Sequence, residues 1–200
     1  MKQNNKKLVG LTGTIASGKS TVAAYLARRF GIPTVDADAV NREVLDEAET
    51  KARLRELFGG DIFTPDGAVD RRALAAVVFN DAEKLSALTA VSWPRILCRI
   101  REWAASQEAP IVLVEAIDLL KTTLRDEMDE IWVVFAPAEV RVQRMTENRA
   151  MTEEEARARI ASQWSDETYL ENATRVIRSD GSLRRMYRDA RRAVRALRRK

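Results

Sequence analysis

A glycine-rich segment close to the N-terminus, residues 13–20, has the residue types and spacing of a phosphate-binding loop. Gly13, Gly18, Lys19 and Ser20 fill every fixed position of the pattern G-x-x-x-x-G-K-[ST]. Glycines permit backbone conformations that turn successive N–H groups toward phosphate oxygens. The lysine ammonium would then reach the β- and γ-phosphates, and the serine hydroxyl would bind Mg²⁺. This phosphate loop predicts a site for a nucleoside triphosphate, as Mg-ATP, and phosphoryl transfer as its chemistry.

The residues on either side of the phosphate loop have the patterns that such a loop requires. Residues 7–12 form a short apolar run that is typical of a buried parallel strand. Residues 20–30 repeat apolar side chains at helical spacing, and Gly31 supplies a usual C-terminal stop. The alternative is a glycine-rich turn between a strand and a helix, with a lysine on the surface. It is disfavoured because strand, loop, Lys-Ser pair and helix occur together.

Two carboxylates follow the next predicted strand, residues 33–36. In an extended segment Asp36 and Asp38 would point the same way and converge above the phosphate loop. One would accept a proton from an attacking hydroxyl, and the other would hold Mg²⁺ through its water shell. Alternatively, the pair begins the following helix, as its N-cap and first-turn acid. We favour the functional interpretation, because ligands of open α/β sheets bind at the carboxyl ends of the strands.

The rest of the chain alternates between strand and helix patterns. Residues 110–115, 130–135 and 174–178 are further candidates for buried strands, and helical sequence separates them. The alternation predicts an α/β fold, in which helices cover both faces of a parallel sheet of about five strands. With 200 residues, 46% of them hydrophobic, we expect a single domain over residues 1–200.

Two helical regions have features beyond those of simple connections. Residues 41–107 lie between the second and third strands, where a crossover needs only about 12 residues. They predict an inserted substrate-binding lobe, interrupted by turns at residues 59–61 and 64–67. Residues 137–170 are rich in arginine and glutamate and lack a strong apolar stripe through 146–158, as expected of a mobile, solvent-facing lid. Ordinary salt-bridged surface helices are the alternative.

Composition excludes several classes of active site. The chain has no histidine, which excludes a Ser-His-Asp or Cys-His catalytic pair and a zinc site, and its single cysteine, Cys98, cannot form an internal disulfide. The net charge of +4 is concentrated in residues 184–200, which hold nine basic residues and one acid. Apolar residues recur in that segment at helical spacing, so it predicts a solvated final helix, and contact with nucleic acid is not expected.

The sequence predicts a soluble protein. Residues 1–7 are polar, and the short apolar stretch that follows runs straight into the phosphate loop, unlike a signal peptide. No apolar run approaches the roughly 20 residues that a membrane helix needs. We therefore expect a cytoplasmic protein with no membrane association, which acts as a monomer or a small homo-oligomer.

Taken together, the phosphate loop, the Asp-Ala-Asp segment and the long insertion make the chain resemble the dephospho-coenzyme A kinase family over nearly its whole length. Residues 11–21 are similar to the family's Leu-Thr-Gly-Gly-Ile-Gly-Ser-Gly-Lys-Ser-Thr, with Thr14 and Ala16 where glycines are usual. Further similar segments are Val35-Asp36-Ala37-Asp38, Asp70-Arg71-Arg72-Ala73-Leu74 with Val78-Phe79, and Ser179-Asp180-Gly181-Ser182.

The resemblance implies a three-layer P-loop kinase fold and ATP-dependent phosphorylation of the ribose 3′-hydroxyl of dephospho-CoA, the last step of coenzyme A biosynthesis. It also implies that Asp38 acts as a base, that Arg71 helps to hold the substrate, and that Ser179 lies near the adenine. We expect ATP contacts from Gly13, Ala16, Ser17, Gly18, Lys19, Ser20, Thr21 and Ser179, with Ser20 as the Mg²⁺ ligand. We expect catalytic roles for Lys19, Asp38, Arg144 and Arg149, and acceptor contacts from Asp36, Asp38, Arg71 and Glu115.

The chain departs from the family pattern in the predicted substrate lobe and after the third strand. Trp93-Pro94 stands where the family generally has His-Pro. Residues 115–120, Glu-Ala-Ile-Asp-Leu-Leu, replace a segment resembling Pro-Leu-Leu-Phe-Glu, which leaves Glu115 as the acidic counterpart. Trp93 and Trp103 lie at helical distance from apolar neighbours, so we expect them to be core residues and not a platform for a ligand.

Arginines of the predicted lid are candidates for stabilising the transition state, in which negative charge spreads over the phosphoryl oxygens. Arg144 matches an arginine of the resembled family, whereas Asn148 stands at the next arginine position and Arg149 follows it. Arg159 and Gln163 match the Arg…Gln pair that comes after. Solvated surface charge is the alternative for any single arginine in this composition.

Two other functions remain open. A kinase for another nucleoside, nucleotide or small hydroxyl substrate would share the phosphate loop and the lid. A non-catalytic nucleotide-binding protein, touching nucleic acid through residues 184–200, ranks last because Lys19 and the carboxylates are in place. The expected small-molecule partners are ATP and dephospho-CoA, with Mg²⁺ as the metal.

Overall fold

The structure is a computed structural model that describes residues 6–78, 81–148 and 151–199, together with the backbone of Arg149. The chain divides into two compact units. The first unit combines Met1–Val35 with Gln107–Lys200, and the second comprises Asp36–Ser106.

The first unit is built on a five-stranded sheet. Its strands are β1 (Lys7–Thr12), β2 (Thr34–Asp36), β3 (Ile111–Glu115), β4 (Glu130–Phe135) and β5 (Arg175–Arg178), in the spatial order β2-β3-β1-β4-β5. β1 pairs in parallel with β3 and with β4, and β4 pairs in parallel with β5. The prediction of an α/β fold with a parallel sheet of about five strands is confirmed.

Helices separate the strands of the described chain, with four α-helices between β2 and β3 and three between β4 and β5. They are α1 (Lys19–Phe30), α2 (Ala37–Asp46), α3 (Ala48–Phe58), α4 (Arg71–Val78), α5 (Ala82–Ser106), α6 (Ala138–Arg149), α7 (Glu153–Ala161), α8 (Asp166–Glu171) and α9 (Leu183–Leu197). Two short 3-10 helices, Leu119–Lys121 and Thr123–Glu127, lie between β3 and β4. Within the described ranges, none of these helices is long and apolar enough to cross a membrane.

Helices cover both faces of the sheet. Trp132 and Val133 are neighbours in β4, so their side chains point to opposite faces. Trp132 lies in one core with Leu26 of α1 and Val194 of α9, and all three are inaccessible to solvent. Val133 packs on the other side with Tyr169 of α8. Burial on both faces explains why the strands are continuous apolar runs without alternation.

The C-terminal helix α9 has one apolar and one basic face. Its apolar residues are buried in the same core as α1 and β1, and they are Met186, Ala190, Ala193, Val194 and Leu197. Its arginines are exposed. The final helix that the sequence predicts is confirmed, and its apolar face is part of the main core of the first unit.

The second unit contains α2 to α5 and has a separate apolar core, formed by Leu45, Leu54, Ile62, Leu74 and Val78. The chain leaves α3 at Gly59, whose φ of +82° suits glycine. A turn follows at residues 64–67, where the Gly67 N–H donates to the Thr64 carbonyl at 2.9 Å. Both interruptions were predicted, and a substrate-binding role for this unit stays a prediction.

The predicted lid, residues 137–170, folds as α6, α7 and α8. α7 begins with a capping box, in which Thr152 and Glu155 each accept the other's backbone N–H through their side chains. A mobile, solvent-facing lid stays a prediction for this region, in which α6 and α7 share a buried apolar cluster. Its members are Val142, Met145 and Ala156, with Ile15, Ala16, Met151 and Ile160 packed against them.

Candidate active site

The phosphate loop connects β1 to α1 and needs its glycines for two different reasons. Gly13 has a φ of +143°, and a Cβ there would lie 2.3 Å from the Val134 carbonyl oxygen. Gly18 is the N-cap of α1 with a φ of +98°, and its Cβ would lie 2.9 Å from the Ser179 hydroxyl. The loop is therefore fitted closely against β4 and against the end of β5.

Lys19, the first residue of α1, is 8% exposed and directs its ammonium into the phosphate loop. Its Nζ donates to the Gly13 carbonyl at 2.8 Å and to the Thr14 carbonyl at 3.4 Å. The Ser17 N–H donates to the Thr14 carbonyl at 3.2 Å and closes a turn at the apex of the phosphate loop, residues 15–17. The loop thus holds the lysine ammonium beside its backbone, where a phosphate-binding loop needs a positive charge.

Ser20 and Glu115 meet at the other side of the first turn of α1. The Ser20 hydroxyl donates to Glu115 Oε1 at 3.3 Å, and Glu115 is the last residue of β3. The sequence predicts Ser20 as a metal ligand and Glu115 as an acceptor contact, and the structure brings these two oxygen groups together. The pairing could not be read from the sequence, because the two residues lie 95 positions apart.

Ser179 follows β5 and borders the phosphate loop. Its N–H donates to the Phe135 carbonyl at 2.7 Å, which extends the β4–β5 pairing by one residue. The Ser179 side chain is buried against Gly18. Thr21, also expected to contact ATP, is exposed in the first turn of α1.

Arg144 of α6 reaches the phosphate loop, as the sequence predicts for a catalytic arginine, but its donors meet backbone carbonyls. Nη1 donates to Ala16 at 3.0 Å and to Ser17 at 3.3 Å, and Nη2 donates to the Ser179 carbonyl. Burial lowers the pKa of the Arg144 guanidinium from its usual value. Arg144 thus joins the apex of the loop to the end of β5, while its contact with a phosphoryl group stays a prediction.

The apex of the phosphate loop is held from α7 as well. Gln163, two residues beyond α7, accepts the Ile15 N–H through Oε1 at 2.8 Å. Ala16 has a φ of +57°, in the left-handed region that glycine prefers. The sequence marked Ala16 as a substituted glycine position and Gln163 as a family match, but no pattern connected the two.

The remaining lid arginines differ in their surroundings. Arg157 pairs with Glu139 and Glu153, both at 2.8 Å, and these pairs raise the pKa of the guanidinium. Arg159 is exposed on α7. The side chain of Arg149, predicted to be catalytic, lies outside the described residues.

A buried ion pair anchors α6 to α8. The Arg141 side chain is 1% exposed, and its Nη2 donates to both carboxylate oxygens of Asp166 at 2.8 Å. The Tyr169 hydroxyl nearby donates to the Ile117 carbonyl at 3.1 Å, and burial raises the pKa of Tyr169 to about 12. The ion pair joins α6 to α8, and the tyrosine joins α8 to the segment that follows β3.

Asp36 and Asp38 lie in the second unit and adopt the alternative arrangement, in which the pair begins a helix. Asp36 is the N-cap of α2, and its Oδ1 accepts the N–H groups of Asp38 at 2.9 Å and Ala39 at 3.2 Å. Asp38 is an exposed acid in the first turn of that helix. The extended geometry predicted for the pair is wrong, because the Asp36 side chain ends the strand by capping the helix.

The other predicted acceptor residue of the second unit is Arg71, which is exposed at the start of α4. The preceding Asp70 accepts the N–H groups of Arg72 at 2.9 Å and Ala73 at 3.1 Å, so it fixes the first turn of the helix. Phe79, part of the quoted family pattern, lies outside the described residues. Trp93 and Trp103 are half-buried on α5.

Comparison with known proteins places the whole chain among one kind of enzyme. A family profile described as dephospho-CoA kinase matches residues 7–185. A dephospho-CoA kinase of Corynebacterium glutamicum is 39% identical over 186 residues, which cover 91% of this chain and 92% of the relative. One from Thermobifida fusca is 40% identical over 176 residues, covering 87% of this chain and 88% of the relative.

Solved structures agree on the fold. A Thermus thermophilus protein of known crystal structure is 35% identical and superposes with a TM-score of 0.85, covering 96% of this chain and 97% of its own. A shikimate kinase from Bacteroides thetaiotaomicron is 13% identical with a TM-score of 0.56, covering 96% of this chain and 98% of its own. The second likeness concerns the fold alone, and it supports the predicted three-layer kinase architecture.

Proposed function

Because the chain belongs to the dephospho-CoA kinase family, we propose that it uses ATP to phosphorylate the ribose 3′-hydroxyl of dephospho-CoA, the last step of coenzyme A biosynthesis. The observation that carries the proposal is the phosphate loop with the Lys19 ammonium buried inside it. A P-loop kinase acting on another small hydroxyl substrate is the alternative that the loop alone would allow.

ATP would bind through the phosphate loop and the residues around it. The positive end of α1 and the N–H groups of the loop would receive the β- and γ-phosphates. The Lys19 ammonium would exchange its two carbonyl partners for phosphate oxygens. It would bind them from within the loop, without a movement of α1. The residues proposed for this site are Gly13, Ala16, Ser17, Gly18, Lys19, Ser20, Thr21 and Ser179.

The Ser20–Glu115 pair fits Mg²⁺, which prefers oxygen ligands and keeps several of its own waters. Ser20 would be a direct ligand, and Glu115 would hold a water of the ion. Mg²⁺ bound there supplies positive charge to the phosphate oxygens during transfer. We therefore assign Glu115 to the metal side of the site in preference to the acceptor.

The acceptor side is proposed to use Asp38 as the base and Arg71 as a cation for the acidic substrate. Asp36 fixes the first turn of α2 by accepting two backbone hydrogen bonds, so it determines the backbone position of Asp38. Asp38 is exposed in the first turn of α2, and its carboxylate would take the proton of the ribose hydroxyl as that oxygen attacks.

Arginines of the lid would complete the site. Arg144 and Arg149 are proposed to stabilise charge on the transferring phosphoryl group, Arg144 from a position already beside the loop apex. We also propose that the enzyme acts in the cytoplasm, as a monomer or small homo-oligomer, and does not bind nucleic acid. The burial of the apolar face of α9 in the core supports a structural role for that helix.

Incubation with Mg-ATP and dephospho-CoA tests the function, with coenzyme A formation followed by chromatography. Asp38→Asn should lower the transfer rate by about 10² or more and leave ATP binding nearly intact. Asp61→Asn, at an exposed turn of the same unit, is the matched control and should retain full activity. Absence of coenzyme A formation by the wild type would refute the proposal, and ADP release with a nucleoside monophosphate instead would favour the alternative.

A further inference from the structure

We propose that Gln163 is a positioning residue for ATP, because it holds the apex of the phosphate loop in a conformation that Ala16 would not keep unaided. The inference rests on the proposed function only in that the loop must bind ATP; it does not depend on the acceptor. The apex is defined as residues 15–17.

Two hydrogen bonds from the lid region fix the ends of the dipeptide Ile15–Ala16. At its start, Gln163 Oε1 accepts the Ile15 N–H at 2.8 Å. At its end, Arg144 Nη1 donates to the Ala16 carbonyl at 3.0 Å. Both partners come from the lid region, 148 and 128 residues away in sequence. The backbone at the apex is therefore held by tertiary contacts in addition to the local turn between Thr14 and Ser17.

Ala16 is the residue under strain in this dipeptide. Among the described residues, it alone combines a side chain with a positive φ, at +57°. Such conformations persist where the surrounding structure over-determines them. A glycine at this position would adopt the same backbone at almost no cost. The alanine makes the loop dependent on its two outside partners.

Apolar packing also stabilises the apex, but it does not replace the hydrogen bonds from Gln163 and Arg144. The side chains of Ile15 and Ala16 lie against the buried cluster of Val142, Met145 and Ala156. Apolar contact is non-directional, so it keeps the apex near α6 and α7 without fixing which way the peptide groups point. Direction matters here, because phosphate is recognised by the orientation of the N–H groups that follow Ala16.

Gln163 also provides an uncharged acceptor. An amide oxygen satisfies the Ile15 N–H without placing a negative charge beside the loop that receives a triphosphate. When the acceptor is removed, Ala16 is free to relax toward the right-handed region, and the N–H groups of Ser17 and Gly18 turn with it. The expected result is weaker ATP binding with little effect on the acceptor side.

The test compares four proteins: wild type, Gln163→Leu, Ala16→Gly and the double variant. The dissociation constant of a non-hydrolysable ATP analogue is measured by calorimetry in the presence of Mg²⁺ and the absence of any acceptor. Gln163→Leu should weaken binding about tenfold, equivalent to about 1.4 kcal/mol. The KM for dephospho-CoA at saturating ATP should stay unchanged. Gln143→Leu is the matched control, since Gln143 is exposed on α6 and its amide donates to Glu147, and this variant should bind the analogue normally.

The double variant separates positioning from packing. If Gln163 acts by holding Ala16, its loss should cost about threefold or less in the Ala16→Gly background, since glycine needs no support. Equal losses in both backgrounds would overturn the inference, and so would a folded Gln163→Leu protein that binds the analogue as tightly as the wild type. Should Gln163→Leu fail to fold, Gln163→Asn replaces it, because its oxygen is one methylene short of Ile15.

Failure of the proposed function gives a different result. A wild type that binds the analogue but does not phosphorylate dephospho-CoA would contradict the acceptor assignment, and the four-protein comparison would still support or overturn the role of Gln163. A wild type that does not bind ATP would refute both.

Discussion

The glycines of the chain offer a graded test of how closely the phosphate loop is fitted to the sheet. Gly13, Gly18 and Gly31 all have positive φ values, but a Cβ meets different surroundings at each. At Gly31 nothing lies within 4 Å, at Gly18 the nearest atom is a side-chain hydroxyl, and at Gly13 it is the backbone oxygen of Val134. Substitution by alanine should destabilise the protein least at Gly31, more at Gly18 and most at Gly13.

The expected magnitudes follow from strain and contact. At Gly31 the left-handed backbone costs alanine about 1–2 kcal/mol, and the stiffer unfolded chain offsets about 0.4–1 kcal/mol of this. The net loss of about 0.5–1 kcal/mol corresponds to a fall in Tm of about 1–4 °C in a chain of this length. Gly13→Ala adds about 1–3 kcal/mol of overpacking, because the Val134 carbonyl belongs to β4 and cannot rotate away.

Thermal and urea unfolding of the three variants, with calorimetric binding of an ATP analogue, would check the series. Gly31→Ala, at the far end of α1, should bind the analogue normally and so serves as the control for strain alone. Gly13→Ala should lose stability and binding together. A Gly13→Ala protein no less stable than Gly31→Ala would refute the reasoning, since it would mean that the loop can withdraw from β4 without cost.

Two further predictions concern the metal and the pH dependence of stability. Ser20→Ala and Glu115→Gln should each raise the Mg²⁺ concentration needed for half-maximal transfer by about tenfold; an unchanged Mg²⁺ titration would contradict the assignment of this pair. Burial raises the pKa of Tyr169 to about 12 from its usual 10.0. The contribution of this shift to the free energy of unfolding is fully present below pH 10 and is lost as the pH rises toward 12. Tyr169→Phe should remove that part of the decline in unfolding free energy, and an identical pH profile in the variant would count against it.

The strands and the phosphate loop were predictable because their signals are local. β1 and β4 have the bounds read from the sequence, and β2, β3 and β5 each begin one residue later than predicted. A continuous apolar run identifies a strand buried on both faces, and fixed glycine spacing identifies the loop. These features depend on neighbours in the chain and need no knowledge of tertiary contacts.

The arrangement of Asp36 and Asp38 was not predicted, because two local interactions compete there. Extended backbone would place both carboxylates on one side, whereas the Asp36 carboxylate gains two backbone N–H groups by starting α2. Capping usually stabilises a helix by about 1 kcal/mol, and a strand of only three residues offers little to oppose it.

The contacts of Gln163, Arg144 and Glu115 were beyond sequence reasoning for another reason. Each joins segments about 95 or more residues apart, through one side chain with no periodic pattern. Their residue types suit many surface positions equally well. Only the packing of α6 and α7 on the loop apex, and of α1 beside β3, determines which of the many polar side chains make these contacts.

The position of α9 has a consequence for how the chain acquires its structure during synthesis. The core of the first unit includes Val9, near the start of the chain, and Leu197, near its end. Because α9 follows all five strands in the chain, Trp132 and Leu26 remain without the covering of this helix until it has been synthesised. The second unit has its own core within residues 36–106 and does not share that delay. The core of the first unit is therefore completed after the second unit can form, although β1 is made before either.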